Sequence, residues 1–321
     1  MFFPFVFWGD NMKLWNGRRY YSLDCYLKET FGEKLYKLSL NGGMTCPNRD
    51  GKISMGGCIF CSEGGSGEFS APCTDISQQI DYAKSLVQDK FNGDKYIAYF
   101  QAYTNTYAPV EYLRELFMPV IQRDDIAVLS VATRPDCLEN DKIQLISELA
   151  RIKPVWIELG LQTMHQKTAD FINRGYPLEC YETAVKNLKQ AGAEIITHII
   201  VGLPYESRED MLQTAQYVGQ FTDGIKIQLL HVLKNTRLAE LYENGLFETL
   251  NEYEYISLVA DMISVLPENV VIHRLTGDGD KNLLISPKWS GDKRRILNLI
   301  NHEMKVRNIY QGIFIDKDFH V

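Results

Sequence analysis

Apolar runs and amphipathic segments alternate along the chain from about residue 36 onward. The apolar runs are short and nearly continuous, which is typical of strands covered on both faces. The segments between them carry apolar residues at three- and four-residue steps, which predicts helices with one buried face. The predicted strands are residues 36–40, 96–100, 126–131, 155–159, 195–201 and 225–230, and the predicted helices lie near residues 76–91, 110–122, 142–150, 178–191 and 209–221.

This alternation predicts an α/β fold, a partial (βα)6 TIM-type barrel with N- and C-terminal extensions. Six βα units are fewer than the eight of a closed barrel, so one side of the sheet would stay open. A short strand at 270–275 and a helix at 293–306 follow the repeat. We expect an N-terminal extension at 1–30, a core barrel at 31–270 and a C-terminal extension at 271–321.

Composition and charge are those of an ordinary globular enzyme. Hydrophobic residues make up 45% of the 321 residues and charged residues 23%, and the net charge of -7 excludes a protein that is basic all over. The apolar start, residues 1–8, is too short to span a bilayer and lacks a basic leader, so we interpret it as a frayed or misassigned start with Met12 as an alternative initiator. We therefore expect a cytoplasmic protein without a membrane partner.

The cysteines carry the most specific signal. There are seven, an odd number, and they cluster, which argues against a secreted disulfide framework and indicates metal. Cys46, Cys58 and Cys61 have the spacing C-x11-C-x2-C in a glycine-rich loop directly after the first predicted strand. Barrel active sites lie at the carboxyl ends of the strands. Three soft thiolates at that place suit an iron–sulfur cluster or zinc.

The number of thiolates separates these two possibilities. A closed zinc site takes four ligands, and the nearest further cysteine is Cys73, beyond a glycine-rich stretch. Three thiolates on a four-iron cluster leave one iron open for another ligand, which favours the cluster. A zinc knuckle completed by Cys73 remains the alternative, while Cys25, Cys137 and Cys180 are interpreted as buried or half-buried thiols.

Five polar residues lie within or at the ends of otherwise apolar strands. Buried polar groups need hydrogen-bond partners, which either a polar cofactor or neighbouring protein groups can supply. These residues are Arg134, Glu158, Gln162, His198 and Gln228.

With these residues in view, the chain resembles the radical SAM superfamily, and within it the YhcC/YtqA-type proteins, which are relatives of the catalytic subunit of Elongator. The resemblance covers nearly all of the chain from about Met12 to the end. Its signatures are Cys46-Pro47-Asn48-Arg49-Asp50-Gly51, Gly57-Cys58-Ile59-Phe60-Cys61-Ser62, Phe100 to Tyr107, Thr133-Arg134-Pro135-Asp136, Glu158 to Thr163, Asn173-Arg174-Gly175, His198 to Pro204 and His273 to Asp278.

The resemblance implies site roles at matching positions. Cys46, Cys58 and Cys61 would ligate a [4Fe–4S] cluster, and S-adenosylmethionine (SAM) would bind the open iron. The run near Gln101 departs from the Gly-Gly-Glu that the superfamily often carries for the SAM amino group. The implied SAM contacts are Phe60, Gln101, Tyr103, Glu158, Gln162, Arg174, Gly202 and Pro204, with Phe60, Gly202 and Pro204 directed to the adenine.

The resemblance also implies the chemistry and the partners. An electron donor such as flavodoxin or ferredoxin would reduce the cluster. SAM would then be cleaved to a 5′-deoxyadenosyl radical that abstracts a substrate hydrogen. Because this chemistry needs no general base, none is assigned. The implied substrate is tRNA, whose wobble uridine would change from a carboxymethylaminomethyl to an aminomethyl side chain. Candidate RNA backbone contacts are Arg18, Arg19, Lys281, Lys288, Lys293, Arg294 and Arg295, with Lys288-Trp289 and residues 293–295 as the best patch.

Two other functions stay open on the sequence. One is a radical SAM enzyme acting on a small molecule or a tetrapyrrole, since Arg174-Gly175 is similar to the oxygen-independent coproporphyrinogen family. The other is a non-catalytic, metal-stabilised RNA-binding module.

Overall fold

The computed structural model describes residues 13–65, 70, 75–90, 93–277 and 279–315. Three features singled out in the sequence lie outside the described residues, namely Cys73, Asp278 and the N-terminal segment with Met1 and Met12. Among the described helices, none combines the length and the apolar content needed to cross a bilayer.

Among the described residues, seven parallel strands form one curled sheet, which confirms the partial barrel. In the order in which they lie side by side, the strands are β1 (Tyr36–Leu40), β2 (Tyr96–Phe100), β3 (Ile126–Thr133), β4 (Val155–Gln162), β5 (Glu194–Val201), β6 (Gly224–Leu229) and β8 (Val271–Arg274). The strand predicted at the start of the C-terminal extension is β8, which pairs in parallel with β6 and adds a seventh strand to the predicted six. A separate antiparallel pair is β7 (Val232–Leu233) with β9 (Leu284–Ser286).

Helices cover the sheet, and each predicted helix is present. The first of them is shorter than predicted, since it ends at Ser85 and only a 3-10 turn follows at Gln88–Lys90. The helices are α1 (Leu23–Phe31), α2 (Ile76–Ser85), α3 (Val110–Ile121), α4 (Asn140–Ala150), α5 (Gln166–Phe171), α6 (Leu178–Gln190), α7 (Arg208–Gly219), α8 (Arg237–Glu243), α9 (Glu252–Val265) and α10 (Lys293–Val306).

Helix α3 shows how the apolar pattern builds the core. Its stripe at three- and four-residue steps buries Leu113, Phe117 and Val120 against the sheet. The Phe117 ring meets Phe100 of β2 edge to face, with ring centroids 4.9 Å apart. Packing of this kind along every helix fixes the strands, and so it fixes the positions of the loops that leave their carboxyl ends.

Candidate active site

A cavity of about 250 Å³ lies at the carboxyl ends of the parallel strands. Cys46, Cys58 and Cys61 all line it, as the spacing after the first strand predicted. The five polar strand residues that the sequence singled out line it as well: Arg134, Glu158, Gln162, His198 and Gln228. The structure therefore brings the three thiols and the polar groups together in one place.

Two asparagines hold the cysteine loop in position. Asn48 is fully buried, and its amide contacts the Asn173 carbonyl and the Cys58 Sγ, the latter at 3.5 Å. The Asn173 amide donates in turn to the Gly57 carbonyl at 2.8 Å and to the Ser54 hydroxyl at 2.9 Å. Asn173 has a left-handed φ of 56°, which asparagine tolerates better than most residues. The segment after β4 thus fixes the loop between the first and second cysteines.

Replacing Asn173 with alanine is expected to loosen this loop. Alanine loses both donated hydrogen bonds and disfavours the left-handed backbone, so we expect iron affinity after anaerobic reconstitution to fall roughly 10- to 100-fold, as for other outer-shell losses. Iron titration and limited proteolysis of residues 46–62 would measure this. The matched control is Asn16→Ala, at an exposed asparagine that also has a left-handed φ, of 50°; equal effects of the two substitutions would contradict the positioning role.

The thiols of the C-x2-C pair have different acidities. A hydrogen bond from the Cys61 thiol lowers the pKa of Cys58 to about 7 against the opposing effect of burial, with Arg134, Asn48 and Arg49 acting in the same direction. The same hydrogen bond raises the pKa of Cys61, since Cys61 is the donor. Of these two thiols, Cys58 is therefore the better prepared to bind metal at neutral pH, and loading the pair would release protons.

The donor set fits an iron–sulfur cluster. Thiolates are its usual ligands, and all three here reach one cavity with cationic and amide groups beside them. Cys73, the fourth ligand of the alternative zinc site, lies outside the described residues.

The predicted SAM contacts divide into two groups. Five line the cavity, namely Phe60, Gln101, Tyr103, Glu158 and Gln162. Three do not line it, namely Arg174, Gly202 and Pro204. No contact with SAM is tested by this arrangement, so all eight assignments stay predictions.

Arg174 has a structural position in the fold. It is fully buried, and its guanidinium donates to the carbonyls of Leu161, Thr163 and Tyr176 at 2.6 to 3.1 Å. These bonds fasten the end of β4 to the segment that holds the cysteine loop. The Arg174 side chain is thus shielded from solvent, and its N–H groups are bonded to the protein itself. Arg174 therefore lies behind the cavity wall.

Glu158 lies at the base of the cavity in a buried charge network. Its side chain is fully enclosed, and its carboxylate accepts from Lys37 at 2.7 Å, from Ser130 at 3.0 Å, and from Lys226. It also meets His198 Nε2 at 2.9 Å. Burial alone would raise its pKa, but the two ammonium groups and the imidazole hold the pKa of Glu158 well below its usual range. Burial lowers the pKa of His198 to about 4, so this imidazole is neutral at pH 7.

The two lysines of this network were not among the residues predicted from the sequence. Lys37 in β1 and Lys226 in β6 interrupt apolar strands just as the five recognised polar residues do, and that interruption is the signal that could have revealed them. Both ammonium groups also lie over the Tyr99 ring, each 4.6 Å from its centroid. Glu158 therefore finds its charge partners within the protein rather than in a cofactor.

The predicted RNA patch is split in the structure. Trp289 donates to the Leu250 carbonyl at 3.2 Å and packs against Tyr255, and Lys288 donates to the Leu284 carbonyl. Arg295 makes a two-pronged ion pair with Glu252. Four of the other candidates lie together along a groove outside the barrel, namely Arg18, Arg19, Lys293 and Arg294, and Lys281 is exposed away from it.

Comparison with known proteins agrees with this site. Residues 46–218 match the model of the radical SAM superfamily, and residues 222–306 match that of a radical SAM C-terminal domain. The protein YtqA of Bacillus subtilis is 45% identical over 302 residues, which cover 94% of each chain. A tRNA uridine(34) acetyltransferase of Methanocaldococcus jannaschii is 28% identical over 155 residues, 47% of this chain and 28% of the other.

A solved structure shows the same fold. The Elp3 protein of Methanocaldococcus infernus superposes with a TM-score of 0.65 at 18% identity over 86% of this chain, which spans 64% of that protein. The superfamily match begins at Cys46 and runs through β5 to α7, so it contains the cysteine loop and most of the cavity. This chain belongs to the radical SAM superfamily and is an enzyme that uses a [4Fe–4S] cluster and S-adenosylmethionine.

Proposed function

We propose that this enzyme modifies tRNA at the wobble uridine and converts a carboxymethylaminomethyl side chain to an aminomethyl side chain. In this conversion the carboxymethyl carbon would give a hydrogen atom to the 5′-deoxyadenosyl radical and one electron to the oxidised cluster, and the nitrogen would lose a proton. Water would then hydrolyse the resulting imine, so that the bond from nitrogen to the carboxymethyl carbon breaks and glyoxylate leaves. The observation that carries the proposal is the single cavity at the strand ends, which is lined by three cysteines of one loop and by polar side chains of the strands. The relative named for tRNA uridine(34) supports uridine as the target. An anticodon base is unpaired and can be turned out of its stack into such a cavity.

Each part of the cavity has a task in this proposal. Cys46, Cys58 and Cys61 hold the cluster, which when bound supplies the electron that opens the sulfonium of SAM. Phe60 offers an aromatic face for adenine, while Gln101 and Gln162 offer amide groups to the polar end of the cofactor. The enclosed Glu158 network closes the base of the cavity against water, which protects a reactive intermediate from side reactions.

The proposal is tested by the nucleosides of tRNA from cells of the source organism that lack this protein. We expect the carboxymethylaminomethyl uridine to accumulate and the aminomethyl form and its products to disappear in mass spectrometry. Return of the wild-type gene should restore the profile, and a gene that encodes Cys61→Ala should not. Wobble uridines that stay unchanged on deletion would defeat the proposal, and accumulation of a porphyrinogen instead would assign the enzyme to tetrapyrroles.

A further inference from the structure

A wide groove of about 690 Å³ runs along the outside of the barrel, apart from the catalytic cavity. One wall is a face of α10, and the other is the segment at residues 17–19 that precedes α1. The chain reaches α10 from β9, which pairs with β7 at the cavity, where Leu233 contributes to the lining. The groove is lined by Gly17, Arg18, Arg19, Lys293, Arg294, Leu297, Asn298, Asn301 and Lys305.

The groove concentrates positive charge on an acidic protein. It gathers five Lys and Arg residues, and among the described residues its lining includes no Asp or Glu, whereas the whole chain has a net charge of -7. Two arginines that do not line the groove have acidic partners: Arg295 of α10 pairs with Glu252, and Arg307, just after α10, pairs with Asp261 at 2.5 Å. The positive charge of the described lining is therefore concentrated on the groove face of this helix.

The dimensions and side chains suit a nucleic-acid backbone. Lys293 and Lys305 are twelve residues apart on α10, which is roughly 18 Å at the rise of an α-helix. That length follows a strand over several phosphates. The amides of Asn298 and Asn301 lie between Arg294 and Lys305 along α10 and can bond to phosphate or to a 2′-hydroxyl. The described lining has no aromatic ring on which a base could stack, so the groove fits backbone rather than bases.

We propose that this groove binds the sugar–phosphate backbone of the RNA substrate while the target base occupies the cavity. The inference rests on the proposed function and adds to it the surface that holds the remainder of the RNA. Phosphate contacts position a nucleic acid without reading its sequence. The groove thus sets the register of the RNA on the enzyme, and the cavity selects the base.

A triple variant tests this assignment. Arg18→Ala, Arg294→Ala and Lys305→Ala together remove three exposed cations from the groove. Binding to unfractionated tRNA is measured by fluorescence anisotropy across a series of salt concentrations. We expect the Kd to rise at least roughly tenfold at low salt and the slope of log Kd against log salt to fall by about 2 to 3, since each phosphate contact contributes nearly one to that slope.

The matched control removes the same charge elsewhere. Arg151→Ala, Lys186→Ala and Lys189→Ala lie at exposed positions of or beside α4 and α6, and this variant should keep the wild-type Kd and slope. Equal weakening in both variants would overturn the groove assignment and leave tRNA as the substrate. Wild-type protein that binds no tRNA would defeat the proposed function itself, and groove-dependent binding only to phosphatidylglycerol vesicles would reassign the groove to a lipid surface.

Discussion

Replacing Cys58 with alanine is expected to abolish SAM cleavage and to remove most of the iron that the protein binds. Cys58 is the thiol whose pKa is lowered to about 7 by the Cys61 hydrogen bond, and Asn48 directs an amide at its sulfur. Its loss leaves at most two thiolates in the cavity. Because the loss of an outer hydrogen-bond partner already weakens metal binding roughly 10- to 100-fold, we expect the loss of a ligand to cost more than about 100-fold.

The measurements are iron and sulfide content after anaerobic reconstitution, the visible absorbance of the cluster, and formation of 5′-deoxyadenosine under strong reductant. Cys180→Ala is the matched control, because Cys180 is also half-buried but lies in α6. It should keep both iron and activity. A Cys58→Ala protein with wild-type iron would show that the cluster lies elsewhere, and one zinc ion in a saturated four-ligand site of the wild-type protein would replace the cluster altogether.

The strands and the cysteine loop could be predicted because their signals are local. A buried strand reads as a continuous apolar run wherever it lies in the sheet, and the thiolate spacing is itself a property of neighbouring residues. The inclusion of β8 in the barrel has no such local signal. It depends on how far the sheet curls before another part of the chain covers its edge. Ser22, just before α1, bridges to Ile272 at that edge, and no local pattern in the sequence predicts a contact between two residues that lie 250 positions apart.

The polar residues show the same limit: the sequence reveals a polar residue within an apolar strand, whereas its partners are set by the fold. The sequence marks Glu158 as a polar group in need of partners, and the resemblance adds Arg174 as a SAM contact. Neither pattern says whether a cofactor or the protein supplies the partners of these two residues. The partners of Arg174 are backbone carbonyls, which every residue has, so no side-chain pattern reveals them. The partners of Glu158 are Lys37 and Lys226, which are 121 and 68 residues away along the chain and meet it only across the curled sheet.

The buried network gives the largest expected effect on stability. Substituting Glu158 with leucine removes the charge that balances Lys226, whose side chain is 4% exposed, and Lys37, at 23%. A buried charge that loses its partner typically costs about 3 to 5 kcal/mol of unfolding free energy, because desolvation is no longer offset. Chemical denaturation of wild type and variant in the same cluster state measures the difference, and Lys28→Met, in the exposed pair with Asp24, should change stability by less than about 1 kcal/mol.

A second substitution distinguishes the loss of charge balance from a loss of packing. Lys226→Met in the Glu158→Leu background removes the ammonium that has lost its main partner and keeps a side chain of similar length. The double variant is therefore expected to recover most of the lost free energy, because replacing a whole buried ion pair with apolar groups is often neutral. If Lys226→Met instead adds its own destabilisation to that of Glu158→Leu, the network acts through shape alone. The closed base of the cavity would then owe its stability to packing rather than to the balance of charges around Glu158.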